Sequence, residues 1–264
     1  MSDPFPAIAE ASATGETADL FTDIRATVGV RVVNLVWRHL ATFDGALPWA
    51  WAAVKPLYVS GIADQAAQRC RATMILPTLP SLAGAQPAGV DAVLASYDYS
   101  NTVNLFALGA LVARLRGDLT PGVAPEGGPR PAPLDLPLPA LAAQSDVGPQ
   151  TWARVLRLNH LADRPEPLIL ASMYRHLAHW PQFLEKLEQA LAPLQADGSL
   201  PRAVAANRAA AMAECGLIAN AIGAAMPDAV LSLRIERGVA AFVENAIGKM
   251  VTICRAIRVA RGAR

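Results

Sequence analysis

Two similar octapeptides stand far apart in this chain: "WRHLATFD" at residues 37–44 and "YRHLAHWP" at residues 174–181. The offset between them is 137 positions, and it keeps register over 24 residues, as far as Gly61, which meets Gly198. A period this long does not belong to a solenoid. The register predicts two copies of one helical unit, packed about a pseudo-two-fold axis. The alternative is that two unrelated helical hairpins are similar by chance.

The composition favours packed helices. Hydrophobic residues make up 53% of the 264 positions and aromatic residues only 6%, and alanine is abundant throughout. Apolar residues spaced by four, such as Leu20, Ile24, Val28 and Val32, mark a helical face. Runs of alternating polar and apolar residues, which would indicate strands, are not evident. The predicted fold is therefore all-α, with two tandem helical repeats packed as a pseudo-dimer.

A proline-rich segment separates the two repeats. Residues 120–140 hold seven of the 21 prolines, which disfavours a helix interior and favours extended or polyproline conformation. We interpret it as a linker, although such a segment is also a possible ligand for an SH3-like partner. The predicted division is a first repeat at 16–118, a linker at 119–144 and a second repeat at 145–258, together forming one compact unit.

Charge and hydropathy exclude several classes of partner. The net charge of +1 gives no electrostatic case for nucleic acid. The longest uncharged stretch, residues 72–90, contains three prolines and does not suit a membrane-spanning helix. The first twenty residues lack the basic and apolar regions of a signal peptide. We therefore expect a soluble, cytoplasmic protein with no membrane partner.

Cysteine and histidine patterns give no metal or cofactor site. Cys70, Cys215 and Cys254 are odd in number and form no C-x-x-C pair, so they predict buried apolar residues rather than a disulfide framework or zinc site. His176 and His179 lie one helical turn apart, but no acidic residue stands at a matching spacing to complete a metal site. The sequence predicts no cofactor and no metal.

Five blocks of sequence carry a resemblance to a known family. They are "DIRATVGV", "RHLATFDGALPWAW", "ADQAAQRCRATMILPTLPSL", "VLASYDYSN" and "LAHWPQFL". In their order and spacing the chain resembles the group I 2-haloacid dehalogenases, over most of its length and with a gap near residues 159–167. Those enzymes are all-α, act on both D- and L-2-haloacids, and are internal pseudo-dimers with the active site between the halves.

The resemblance implies specific site residues. In that family an aspartate activates a water that attacks the α-carbon directly, and an asparagine assists it. The asparagine matches Asn101, which would orient the water unless it is simply a buried asparagine that satisfies helix carbonyls. The position of the aspartate is occupied by Met173. Two aromatic pocket positions correspond to Val32 and Leu35, so these two and Met173 are the predicted pocket residues.

A methionine at the position of the base changes the expected chemistry. A thioether does not take a proton from water at neutral pH, and general-base catalysis contributes a factor of roughly 10²–10⁴ in rate. Asp163 and Glu166 are the nearest carboxylates in sequence that would replace it. Arg38 and Arg175 would bind a substrate carboxylate or, since both halves carry them, brace their own hairpins.

Two functions remain open at this point. The first is a dehalogenase-like hydrolase for small 2-substituted carboxylic acids with an altered active site. The second is a catalytically inactive homologue that binds a small carboxylic acid or apolar ligand, or serves as a scaffold. A homodimer is a further possibility, because it would bury the same surface as the pseudo-dimer.

Overall fold

The computed structural model describes residues 5–84, 88–163 and 169–263. Within those ranges the regular elements are helices, and the one β-bridge is an isolated pair between Val30 and Leu134. The predicted all-α fold class is confirmed. None of the helices in the described ranges combines the length and the apolar character needed to cross a bilayer.

Eleven α-helices are described in two sets. The first set is α1 (Gly15–Val28), α2 (Leu35–Leu40), α3 (Ala46–Val59), α4 (Ile62–Thr73) and α5 (Ala88–Arg116). The second set is α6 (Pro149–Asn159), α7 (Ser172–Leu177), α8 (Pro181–Ala196), α9 (Ser199–Ile218), α10 (Ala229–Ala241) and α11 (Gly248–Ala260). A π-helical turn, Phe242–Ile247, joins α10 to α11.

The helix predicted to run through Val32 ends four residues earlier. Gly29 adopts a left-handed φ of 80°, and its N–H donates to the carbonyl of Arg25. A left-handed glycine after the last helical residue is a common helix stop. Val32 therefore lies in the bend before α2, and the prediction that it continues the apolar face of α1 is wrong.

The long helix α5 contributes to both hydrophobic cores. Its buried residues between positions 103 and 113 pack in a core with α1 to α4. Its buried residues between positions 90 and 97 pack in a second core with α6 to α9 and α11. The two cores therefore meet beside the middle of α5, which also contacts the π-helical turn.

Several elements repeat at the offset seen in the sequence. Helices α2 and α7 have six residues each, and their first and last residues are both separated by 137 positions. Gly61 and Gly198 precede α4 and α9 with left-handed φ values of 78° and 77°. These local features support an internal repeat, whereas superposition of the complete halves stays a prediction.

The proline-rich segment runs along the first set of helices. Residues 117–143 contain no helix. The N–H of Gly128 donates to the carbonyl of Ser60 at 3.0 Å, and the N–H of Leu134 donates to the carbonyl of Gly29 at 2.8 Å. The segment is thus bound to the first set by backbone hydrogen bonds, while the proposed domain boundaries stay a prediction.

Candidate functional site

Polar side chains are concentrated in the middle of α5, although most of this helix is apolar. Its buried polar residues are Ser96, Asp98, Ser100, Asn101, Thr102 and Asn104. Asn104 Oδ1 accepts hydrogen bonds from Trp37 Nε1 at 3.1 Å and from the Tyr58 hydroxyl at 2.7 Å. Because buried polar groups are costly unless hydrogen-bonded, this band fixes how α5 meets α2 and α3.

A cavity of about 40 Å³ lies at the junction between the two sets of helices. Its walls come from both sets of helices and from the π-helical turn. The lining residues are Asn34, Leu35, Val36, Tyr97, Asn101, Ile169, Leu170, Ala171, Ser172, Met173, Phe242, Ala246, Ile247 and Met250. The volume admits roughly three water molecules, at about 10–15 Å³ each.

The segment before α7, residues 169–171, forms one wall of this cavity and is hydrogen-bonded to the side chain of Asn159. Asn159 Nδ2 donates to the carbonyl of Ile169 at 3.1 Å, and the N–H of Ala171 donates to Asn159 Oδ1 at 2.9 Å. The carbonyl of Asn159 accepts from Lys249 Nζ at 2.9 Å. The wall is therefore tied to α6 and, through Lys249, to α11.

The cavity brings together three of the four residues singled out from the sequence. Asn101, Leu35 and Met173 line it, and Met173 is 1% exposed. Val32 is half-buried and is not among the lining residues of the described chain, because it lies in the bend before α2 begins. The roles assigned to these residues stay predictions.

The polar groups of the cavity include amide and hydroxyl hydrogen-bond donors. Asn34 Nδ2 lies 3.5 Å from Asn101 Oδ1 and donates to it. The amide N–H groups of Asn101 have no other partner in the described part of the chain and are available to a bound molecule. Tyr97 bonds to the Ser172 side chain, and burial raises the pKa of its phenol well above the usual range.

Groups that take a proton from water near neutral pH are missing from this lining. Among the described residues that form the cavity there is no carboxylate, imidazole or amine. Asp163, one of the two carboxylates considered as a replacement base, bonds instead to Arg208 at 3.0 Å and to Lys249 at 3.1 Å. Glu166 lies outside the described residues.

The repeated pairs Arg38/Arg175 and His39/His176 are not among the lining residues of the cavity. Arg175 Nε donates to the carbonyl of Ala142 at 2.9 Å, and Arg38 is 9% exposed. His39 and His179 each bond to a backbone carbonyl through one ring nitrogen. No group of three or more metal-ligating side chains occurs within the described ranges.

The comparisons with known proteins agree with this arrangement. No family model matches the chain. A configuration-inverting 2-haloacid dehalogenase from Alcaligenes xylosoxydans xylosoxydans is 29% identical over 218 residues, which are 74% of this chain and 71% of that protein. Another from Pseudomonas sp. (strain 113) is 28% identical over 69% of this chain, and the match spans 64% of its own length, slightly under two thirds.

Solved structures extend the likeness over nearly the whole chain. A mutant D-2-haloacid dehalogenase in complex with D-2-CPA covers 98% of this chain and 97% of its own, with a TM-score of 0.75 and 17% identity. A D-2-haloacid dehalogenase in complex with L-LA gives a TM-score of 0.74 at 18% identity and the same coverage. The chain resembles the 2-haloacid dehalogenases in sequence and has their fold. The resemblance predicted from the five sequence blocks is confirmed.

Several residues of this dehalogenase-fold cavity were not found from the sequence. Tyr97 precedes Asn101 by one helical turn, a spacing that identifies it as a neighbour on the same face. Ser172 stands 137 positions after Leu35, so the repeat register also pointed to it. The π-helical turn was missed, because such turns are rare and occur as single turns within what otherwise reads as one α-helix.

Burial of His176 predicts that the stability of this fold depends on pH. Burial lowers its pKa to about 4, and the charges of His179, Arg175 and Arg38 act in the same direction. The unfolded chain therefore binds more protons than the folded one between about pH 6.5 and 4. We expect the free energy of unfolding to fall by on the order of 2–3 kcal/mol over that range.

The measurement is urea unfolding at several pH values, for the wild type and for His176→Asn. The variant removes the titrating group, so the fall between pH 6.5 and 4 should shrink. An unchanged slope in the variant would show that other groups cause the acid sensitivity.

Proposed function

We propose that this chain binds small 2-substituted carboxylic acids in the cavity between its halves without hydrolysing a carbon–halogen bond. The observation that carries the proposal is the lining itself, which offers hydrogen-bond donors but, among the described residues, no general base. Direct attack by water requires a group that takes its proton. Met173 stands where the resemblance places that group, and a thioether does not serve as a base.

The donors suit a carboxylate. The amide N–H groups of Asn101 supply hydrogen bonds that a carboxylate accepts. Tyr97 and Ser172 bond to each other, so this pair supplies one further hydroxyl donor. A phenol whose pKa is raised by burial stays protonated and keeps its O–H to donate. The relatives are named for 2-haloacids, which supports the same class of acid here.

The apolar walls and the volume restrict the ligand to short acids. Leu35, Met173 and Ile247 would contact the substituent on the α-carbon, away from the polar groups. A cavity of about 40 Å³ is small beside the 150 Å³ of an engineered cavity that holds benzene. We therefore propose acids of two or three carbons, with affinity falling as the α-substituent grows.

A slow hydrolase is the second candidate. Glu166 precedes the cavity-wall residue Ile169 by three positions in the sequence, which favours it as a replacement base over Asp163. Asp163 forms ion pairs with Arg208 and Lys249, and its use as a base would break both of them.

Calorimetric titration with each enantiomer of 2-chloropropionate tests the binding proposal. We expect binding to the wild type, and a loss of about tenfold or more in Asn101→Leu, which removes charge-assisted hydrogen bonds and keeps a similar volume. Asn220→Leu is the matched control, because Asn220 is exposed and bonds to loop carbonyls outside the cavity. No binding at ~10 mM acid, or equal affinity in Asn101→Leu, would contradict the proposal.

A further inference from the structure

A second recess lies beside α5 and shares no lining residue with the cavity. Its volume is about 430 Å³, and it opens between α4, α5, α11 and the proline-rich segment. Three guanidinium groups line it, those of Arg71, Arg255 and Arg258, together with the carboxylate of Asp98. Three positive charges facing one negative charge leave an excess of two positive charges.

The Asp98 carboxylate leaves much of this guanidinium cluster unsatisfied. Asp98 Oδ2 bonds to Arg258 Nη1 at 2.6 Å and lies 3.7 Å from Arg255 Nη1, with the Asp98 side chain 2% exposed. Arg71 Nη1 and Arg255 Nε are buried without a hydrogen-bond partner in the described chain, and Asp98 Oδ1 is a buried acceptor that bonds to neither of them. Buried N–H groups of native proteins are nearly always paired, so these two indicate a missing acceptor.

The charges in this recess also act on one another. Burial lowers the pKa of the Arg71 guanidinium; Asp98 raises it, and the positive charge of Arg255 lowers it further. Arg255 and Arg258 belong to α11 and face Asp98 of α5. Placing several positive charges close together in a partly desolvated recess costs free energy unless an anion binds between them.

We propose that this recess binds a phosphate group. Guanidinium groups bind phosphate oxygens through paired N–H donors, and the excess of two positive charges matches a phosphate dianion. Ala72, Ala95, Pro131 and Leu134 add apolar surface beyond the arginines. That surface, together with the volume, favours a phosphate monoester over the free ion.

Calorimetric titration of the purified full chain, at fixed ionic strength, tests this site. The probes are inorganic phosphate, glycerol phosphate and acetate. We expect both phosphate compounds to bind, the monoester more tightly, and acetate to bind at least tenfold more weakly. Arg71→Gln and Arg255→Gln should each weaken glycerol phosphate binding by about tenfold or more. Asp98→Asn should strengthen it, since it removes the competing carboxylate.

The matched control is Arg69→Gln on the same helix as Arg71, because Arg69 is exposed and bonds to Glu214 outside the recess. It should bind glycerol phosphate as the wild type does. Circular dichroism establishes that each variant is folded, and Arg71→Gln alone decides the matter if Arg255→Gln does not fold. Absence of phosphate binding, equal binding of acetate, or an equal loss in Arg69→Gln would overturn the site. Tighter binding of inorganic phosphate than of glycerol phosphate would overturn the proposal that the ligand is a phosphate monoester.

Discussion

Purified protein incubated with either enantiomer of 2-chloropropionate is expected to release chloride at least ~100-fold more slowly than a 2-haloacid dehalogenase assayed in parallel. The reason is the missing base: general-base catalysis contributes roughly 10²–10⁴ in rate, and Met173 occupies the position that the resemblance assigns to it. On the proposed function, Asn101 and the apolar walls would hold the acid, but a water beside them would keep its proton. Chloride release measured over time, at matched enzyme concentrations, gives the ratio.

Rapid chloride release would contradict this account, and two variants would then locate the base. Glu166→Gln would abolish the activity if Glu166 serves in that role. Asp163→Asn would abolish it only if Asp163 leaves its ion pairs with Arg208 and Lys249. Met173→Asp is the complementary gain-of-function variant, although an aspartate in apolar surroundings is driven toward its protonated form.

Replacing Lys249 by methionine is expected to lower the free energy of unfolding by about 3 kcal/mol, the low end for removing one partner of a buried ion pair. Lys249 is buried, and burial lowers its pKa while Asp163 raises it. Its ammonium bonds to the carbonyl of Asn159 and to the Asp163 carboxylate. Methionine keeps most of the side-chain volume, so the loss reports the charge and its hydrogen bonds.

The matched control is Lys186→Met, because Lys186 is exposed on α8. Surface substitutions of this kind usually change stability by less than about 0.5 kcal/mol. Urea unfolding of both variants gives the comparison, and calorimetry with 2-chloropropionate shows whether the wall carrying Ile169 has also shifted. Equal stability of Lys249→Met and the wild type would mean that Arg208 alone holds Asp163 and this segment.

Much of the fold could be predicted from the sequence, because helical periodicity and glycine stops are local signals. The long helices and the left-handed glycines at Gly61 and Gly198 follow from such patterns. The exact end of α1 did not, since Val32 continues the apolar spacing past Gly29. The left-handed conformation of Gly29 ends the helix, although the apolar spacing continues for four residues beyond Val28.

The site was less predictable, because a cavity wall depends on which segments meet in space. Asn101 matches the asparagine of the family that the chain resembles, and Leu35 stands at one of that family's aromatic positions. Phe242 and Ala246 reach the cavity only through the π-helical turn. The pairing of Asp163 with Lys249 joins residues 86 positions apart. Nothing in the sequence near either residue indicates that pairing, and it is the pairing that argues against Asp163 as a base.

One experiment measures binding and turnover together: the protein is mixed with ¹³C-labelled 2-chloropropionate and followed by NMR. Saturation transfer from the protein reports bound acid, and the ¹³C spectrum reports any 2-hydroxypropionate that forms. The account predicts a transfer signal that Asn101→Leu reduces, while the labelled acid is recovered unchanged after prolonged incubation. Accumulation of 2-hydroxypropionate by the wild type, or the absence of a transfer signal, would contradict it.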